Sequence, residues 1–379
     1  MTQPRGSLLC VVPYHANTGF AWNYIEGLYA GVANALAPEG VATHVAYLSI
    51  GEFPKPLEGS EARPIALDAT LRTWRSIRET MKQIRQLNVT TIYFTDFGWW
   101  HWSLPLLRLA GARRIVAHDH TSGARTVPRG LKRAAKWVKA RIPWMSADVT
   151  VTVSGYVARR HWDVNLAPHG RIVPLLNGLH LPSVEPPGPP PLPAMDGRHV
   201  VLCVCRAAPE KGVDHLLRAF DRVVATWPPT GPRPLLVYVG NGPVLAELES
   251  LRASLPSRDD IVFTGYRNDV PRFIQSATVC VVPSVWQDAC PLGVLEPMAY
   301  GKAVIASAVG GVPELIDDDR VGQLVPAGDP VTLAGAIAAL LHDPVRRERI
   351  GAAARARIQE HFHWPRQMAK LVSIVRGPS

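Results

Sequence analysis

The chain has 379 residues, enough for two cores of ordinary size, and its 47% apolar and 19% charged residues are those of a soluble globular protein. It holds no apolar run near the roughly 20 residues of a membrane-crossing helix, and the Leu8–Val12 stretch is too short for a secretion signal. The net charge of +10 is uneven: residues 1–190 carry 21 Lys and Arg against 12 Asp and Glu, and residues 108–141 carry ten bases and one acid, Asp119, which implies an anionic partner for the N-terminal half. In chain order, the spacing predicts a strand at Ser7–Val12, a helix at Phe20–Leu36 and a strand at Val41–Leu48. An amphipathic helix at Leu71–Leu87 follows, then strands at Thr90–Thr95, Arg114–Ala117 and Val149–Val153, with Ser154 as a helix cap. Ile172–Pro174 and an Asn177-Gly178 turn close this series.

Seven of the twelve residues from Pro182 to Pro193 are proline, which predicts an extended linker over 183–197. A second series then places strands at His199–Leu202, Leu235–Val239, Ile261–Phe263, Thr278–Val282 and Ala303–Ser307, and a helical segment from Val331 onward with a break at Trp364-Pro365. Strands alternating with helices imply two doubly wound α/β domains, 1–182 and 198–362, with a last helix at 363–379. Five cysteines without paired spacing imply reduced core thiols and a cytoplasmic setting.

The densest chemistry lies in the loop and helix from Pro283 to Gly301. The acids Asp288 and Glu296, eight positions apart, sit where an α/β sheet presents ligands, and a helix N-terminus there favours phosphate. Upstream, Arg206 and Lys211 follow a strand and can close over a diphosphate, the arginine as a planar fork and the lysine as a point charge.

These residues resemble the acid-x7-acid and Arg-x-x-x-x-Lys-Gly signatures of retaining glycosyltransferases, in particular glycosyltransferase family four. Val239-Gly240-Asn241-Gly242-Pro243, Phe263-Thr264-Gly265-Tyr266 and Val309-Gly310-Gly311-Val312-Pro313-Glu314 resemble further family segments, in order. The resemblance covers roughly residues 198–365 strongly and the N-terminal half weakly. It implies the GT-B fold, two Rossmann-like doubly wound parallel-sheet domains facing across a cleft, with acceptor in the first and donor in the second and the last helix crossing back to the first. It implies a hexosyltransferase that moves sugar from a nucleoside diphosphate sugar to a hydroxyl acceptor, lipid-linked or a polysaccharide or glycolipid precursor, with retention and with neither metal nor cofactor.

By the same resemblance Arg206 and Lys211 stabilise the leaving diphosphate, Asp288 faces the sugar hydroxyls, and Glu296 faces the ribose. Gly240, Gly242, Leu292 and Gly293 belong with the donor, as does Gly19 in the turn after the first strand. His120, with His118 next, approaches the sugar and the acceptor. Three departures stand out: Asp for the more frequent Glu at 288, Pro291 removing a loop amide, and Pro297, which fits a helix only if Glu296 lies in its first turn.

Weaker signals remain. His118 and His120 lack a third and fourth ligand at metal spacing, and Asp317-Asp318-Asp319 reads as an exposed turn. Trp100 and Trp102 either stack on an acceptor or fill a domain edge. Residues 131–142 form a basic amphipathic helix whose apolar stripe either packs on the core or lies on an anionic membrane, at the inner face if so. No nucleic-acid module is present, so nucleic acid is not an expected partner. An inactive nucleotide-sugar-binding protein and a sugar-nucleotide epimerase remain as alternatives.

Overall fold

The computed structural model describes residues 6–183 and 188–377. Among the described residues the chain divides into two compact units, 6–121, 125–176 and 365–377 for the first, and 122–124, 177–183 and 188–364 for the second. Of the proline-rich stretch, residues 184–187 lie outside the described residues, and Pro193–Met195 forms one 3₁₀ turn.

The first unit runs β1 (Ser7–Val11), α1 (Phe20–Leu36), β2 (Thr43–Tyr47), β3 (Ala62–Ala66), α2 (Trp74–Gln86), β4 (Val89–Thr95), α3 (Leu104–Ala110), β5 (Arg114–Asp119), α4 (Gly130–Lys139), β6 (Val149–Thr152), α5 (Gly155–Asp163) and β7 (Ile172–Pro174). Its sheet has the order β3-β2-β1-β4-β5-β6-β7, and each pairing is parallel. Leu9, Ile92, Phe94 and Ile115 are almost fully buried in its core, each stabilising by about 1.5–3 kcal/mol. The sequence places the start of α2 at Leu71, but the helix begins at Trp74. Thr73 Oγ1 accepts from Ser76 N at 3.0 Å while Ser76 Oγ accepts from Thr73 N at 3.2 Å, a reciprocal cap that fixes the first turn.

The second unit runs β8 (Val200–Val204), α6 (Val213–Ala225), β9 (Leu235–Val239), α7 (Leu245–Ser254), β10 (Ile261–Phe263), α8 (Val270–Ser276), β11 (Val279–Val282), α9 (Leu292–Ala299), β12 (Ala303–Ser307), α10 (Val312–Leu315), β13 (Gln323–Val325), α11 (Pro330–His342) and α12 (Pro344–His361). Its parallel sheet has the order β10-β9-β8-β11-β12-β13. A last helix, α13 (Trp364–Arg376), belongs to the first unit from Pro365 onward. There the Ile374 carbonyl accepts from Arg114 Nη2 at 2.7 Å and Nε at 3.1 Å.

Both units are Rossmann-like, with strand order reversing at one point: between β1 and β4, and between β8 and β11. Ligands in such sheets sit outside the carboxyl ends of the strands at that point. In the second unit those ends lead into Cys205–Lys211 and Pro283–Pro291, the two segments carrying the sequence signatures.

Candidate functional site

In the second unit the two segments meet. Lys211 Nζ donates to both oxygens of Asp288, at 2.8 and 3.0 Å. Ser284 Oγ donates to Asp288 Oδ2 at 2.7 Å, and the aspartate is 7% exposed. Val285 N donates to the Glu210 carbonyl at 3.0 Å, so backbone as well as side chain ties the loop to the turn. Two glycines allow the close fit. Gly212, with φ +63°, abuts the Pro283 carbonyl, and Gly310, with φ +56°, abuts Asp288; a Cβ at either would overlap the loop backbone. Gly311 N donates to the Asp288 carbonyl at 2.8 Å, and Gly310 N to Gln287 Oε1 at 2.7 Å. The acid loop is held from both sides.

Arg206 stands apart from this pair. Its Nη2 lies 2.5 Å from Glu210 Oε1, and its side chain is 65% exposed. Gly240 and Gly242 lie against the same segment: a Cβ on either would overlap the carbonyl of Cys205 or Ala207. Ala207 N donates to the Asn241 carbonyl at 2.9 Å.

The helix behind the loop corrects one expectation. Pro291 is the N-cap of α9, so Leu292 and Gly293 are its first two residues and Glu296 lies in its second turn. Pro297 therefore falls inside the helix, with no N–H for the Gly293 carbonyl. The amides of Leu292 and Gly293 lie among the orphan donors of a helix start. Glu296 lines a narrow recess with Leu202, Val204, Ile274, Gly293 and Pro297. Burial in that apolar wall pushes its carboxyl up to about 7.

In the first unit, the His118 and His120 rings lie against each other, tilted by 40° with centroids 4.0 Å apart. His118 is 2% exposed, its Nδ1 shares a 2.5 Å hydrogen bond with Tyr93 Oη, and burial holds its imidazole well below its ordinary value. His120 is less buried, and its backbone N donates to Asp96 Oδ1 at 2.8 Å. Gly19 is the exposed N-cap residue of α1. Trp102 packs edge-on against Trp74 at 5.0 Å, both exposed. Trp100 instead lies under Lys139 Nζ, 3.8 Å from its ring centroid.

Between the two histidines, Asp119 forms a network that the sequence does not single out. Its Oδ2 accepts from Arg160 Nη2 at 2.8 Å and lies 2.8 Å from His161 Nε2. Its Oδ1 accepts from Thr121 N and Oγ1 at 2.8 and 2.6 Å. Burial alone would raise this carboxyl, but His161, Arg160 and Thr121 hold it well below the usual carboxylate range. Beside it opens a cavity of about 460 Å³ that Trp100 also lines.

Comparison with known proteins agrees with this architecture. Residues 189–357 match the model of glycosyl transferases group 1, and residues 29–181 match that of glycosyltransferase family four. A GDP-mannose-dependent alpha-(1-6)-phosphatidylinositol monomannoside mannosyltransferase from Mycolicibacterium smegmatis is 31% identical over 289 residues, 72% of each chain. The chain belongs to glycosyltransferase family four. Its fold is the GT-B fold: a glycosyltransferase from Rickettsia africae superposes with a TM-score of 0.80 at 19% identity, covering 98% of each chain. Anabaena HepE in complex with UDP superposes with a TM-score of 0.76 at 17% identity over 98% of this chain and 100% of that one.

As a family-four glycosyltransferase the protein takes a sugar donor and an acceptor, and neither the inactive-scaffold reading nor the epimerase reading is favoured. Sequence reasoning about this transferase passed over Ser284, the Asp288 partner four residues upstream, and the Asp119–Arg160–His161 network. Ser284 adjoins Pro283 in the signature itself, so its hydroxyl was a readable signal. Nothing local links Asp119 to α5.

Proposed function

We propose that this glycosyltransferase moves a sugar, with retention, from a nucleoside diphosphate sugar to a hydroxyl of a lipid-linked acceptor. The observation that carries the reading is the Lys211–Asp288 ion pair at the reversal point of the second sheet. It joins a phosphate-binding cation to an acid that accepts sugar hydroxyls, on the ends of adjacent strands. Arg206, exposed and among the described residues paired only with Glu210, takes the diphosphate with Lys211, and their charge acts most as the C1–O bond to phosphate breaks. The acceptor oxygen bonds C1 from the same face and its proton passes to the departing phosphate oxygen, so no covalent nucleophile is required. Glu296 receives the ribose hydroxyls, the amides of Leu292 and Gly293 and the turn at Gly240 and Gly242 receive phosphate, and Gly19, His120 and His118 serve the sugar and acceptor.

Transfer is independent of a divalent ion in this reading, because Arg206 and Lys211 supply the positive charge. Two acids of the triple are already paired: Asp318 with Arg320 at 2.7 Å and Asp317 with Arg357 at 3.0 Å. The mannosyltransferase relative supports GDP-mannose as the donor and a phosphatidylinositol glycolipid as the acceptor. Helix α4, none of whose residues is buried, supports attachment to an anionic lipid surface at the inner face of the membrane. Among the described residues no helix is long and apolar enough to cross a membrane.

A thermal-shift series of GDP, UDP, ADP, dTDP and CDP, with and without EDTA, tests the donor site. One nucleotide, GDP first, should raise the melting temperature equally in both buffers. No shift with any of the five would sink the donor assignment, and a shift abolished by EDTA would sink metal independence.

A further inference from the structure

The first unit contains a cavity of about 460 Å³ outside the carboxyl ends of β4 and β5. Its walls carry four basic side chains, Arg125, Lys136, Lys139 and Arg160, and two acids, Asp96 and Asp119. Both acids are engaged on the protein side: Asp119 by Arg160, His161 and Thr121, and Asp96 by the His120 amide. Among the described residues no carboxylate pairs with Arg125, Lys136 or Lys139. Lys136 Nζ donates to the Val164 carbonyl at 3.0 Å, and Lys139 Nζ caps the Trp100 ring. Burial and the charges of Lys132 and Lys139 pull the Lys136 ammonium below its ordinary value. An anion in the cavity would relieve that repulsion.

From this arrangement we infer that the cavity is a phosphate subsite holding the phosphodiester of the acceptor through Lys136, Lys139 and Arg125. The inference rests on the transferase reading above and names the acceptor chemistry. Ammonium and guanidinium groups without carboxylate partners among the described residues, in a pocket large enough for a phosphate and one ring, match a sugar-bearing phosphodiester. Helix α4 strengthens the match. While Lys136 and Lys139 line the cavity, Leu131, Trp137 and Val138 of the same helix are 91%, 51% and 58% exposed. A lipid whose headgroup phosphate lies in the cavity would leave its acyl chains beside those side chains.

Isothermal titration at low salt tests this on the full chain, with dihexanoyl-phosphatidylinositol below its micellar concentration, myo-inositol and inorganic phosphate as probes. GDP binding is measured on the same samples, so a failed donor site and a failed cavity are read separately. The short-chain lipid should bind, inositol should not, and inorganic phosphate should bind more weakly than the lipid. Lys136→Gln/Lys139→Gln should weaken the lipid at least tenfold while GDP binding is unchanged. Lys132→Gln/Arg133→Gln, which removes equal charge from the same helix outside the cavity, should weaken it less than threefold. Equal losses in the two variants would show diffuse attraction and overturn the site. Inorganic phosphate binding as tightly as the lipid would assign the cavity to free phosphate and overturn the acceptor role. No lipid binding to a wild-type protein that binds GDP would overturn the inference outright.

Discussion

Lys211 and Asp288 are 77 residues apart in sequence, yet the lysine's ammonium donates to both carboxylate oxygens of the aspartate, at 2.8 and 3.0 Å. Each is the other's counter-charge in a site only 25% and 10% exposed at the side chains. A lysine already aligned by an acid is preorganised, so its charge needs little rearrangement as a phosphate leaves.

Lys211→Ala should lower kcat by roughly a hundredfold or more, the scale of losing one transition-state donor. It should also cost about 1–3 kcal/mol of stability, because among the described residues Asp288 keeps only Ser284 as a side-chain partner. Lys211→Arg should restore most of the stability and part of the rate. Steady-state kinetics with urea melts separates the two effects. A folded Lys211→Ala enzyme with unchanged kcat would remove Lys211 from the chemistry.

Glu296 gives a pH prediction. Its carboxyl is raised from an ordinary 4.5 to about 7 by burial. The native state therefore holds a proton that the unfolded state has lost between those values. The associated stability is fully present below 4.5 and disappears as pH rises through 7. Glu296→Gln should remove this slope, leaving the variant more stable than wild type at pH 8 and little changed at pH 5. Donor hydroxyls favour the ionised acid, so nucleotide affinity of the wild type should rise from pH 6 to 8 and that of the variant should not. Parallel melts and titrations at these pH values check both; identical pH profiles would exclude Glu296 as the titrating group.

The sequence made the two βα series and the order of the signature loops readable because buried parallel strands such as Leu235–Val239 and Ala303–Ser307 are unbroken apolar runs. It concealed β3 and β13. Both are edge strands: β3 carries Arg63 and Pro64, and β13 opens on the polar Gln323, whereas the equally short edge strand β10 is apolar throughout. The acids and bases of the second unit were legible as types at fixed spacing. Their pairing was not, because Lys211 and Asp288 meet only through sheet order. The helix phase of Glu296 was misread for want of the start at Leu292, which Pro291 sets. In α4 periodicity identified two stripes but not their sides: Leu131, Ala134, Ala135 and Val138 are exposed, while Lys136 lines a cavity.

Gly310 offers a structural test of the loop. Its φ of +56° is costly for any residue with a Cβ, and that Cβ would overlap the Asp288 backbone. Gly310→Ala should therefore lose about 1–3 kcal/mol of stability and displace the acid loop. Nucleotide affinity and kcat should both fall, although residue 310 bears no reactive group. Gly335→Ala serves as the control, since nothing lies near its Cβ position and the helix it occupies favours alanine by about 1 kcal/mol. A Gly310→Ala protein with wild-type melting and wild-type kcat would show that the loop is not held from this side.

Helix α4 makes the last prediction. Leu131, Trp137 and Val138 are exposed beside Lys132 and Arg133, and Trp144 just beyond the helix is 71% exposed. Apolar and basic side chains together on one exposed helix favour an anionic bilayer, at about 1 kcal/mol for each basic residue near the surface. The protein should sediment with vesicles containing phosphatidylglycerol and not with pure phosphatidylcholine, and added salt should weaken the association. Trp137→Ala/Leu131→Ala should reduce vesicle binding about tenfold or more, because two buried apolar side chains account for several kcal/mol of transfer. Leu131 is almost fully exposed and Trp137 half-exposed with only Arg141 over its ring among the described residues, so melting should change little. Transfer to a water-soluble acceptor should keep its rate, while transfer to a vesicle-bound acceptor should fall with binding. Equal sedimentation of wild type and variant would assign the attachment to another surface.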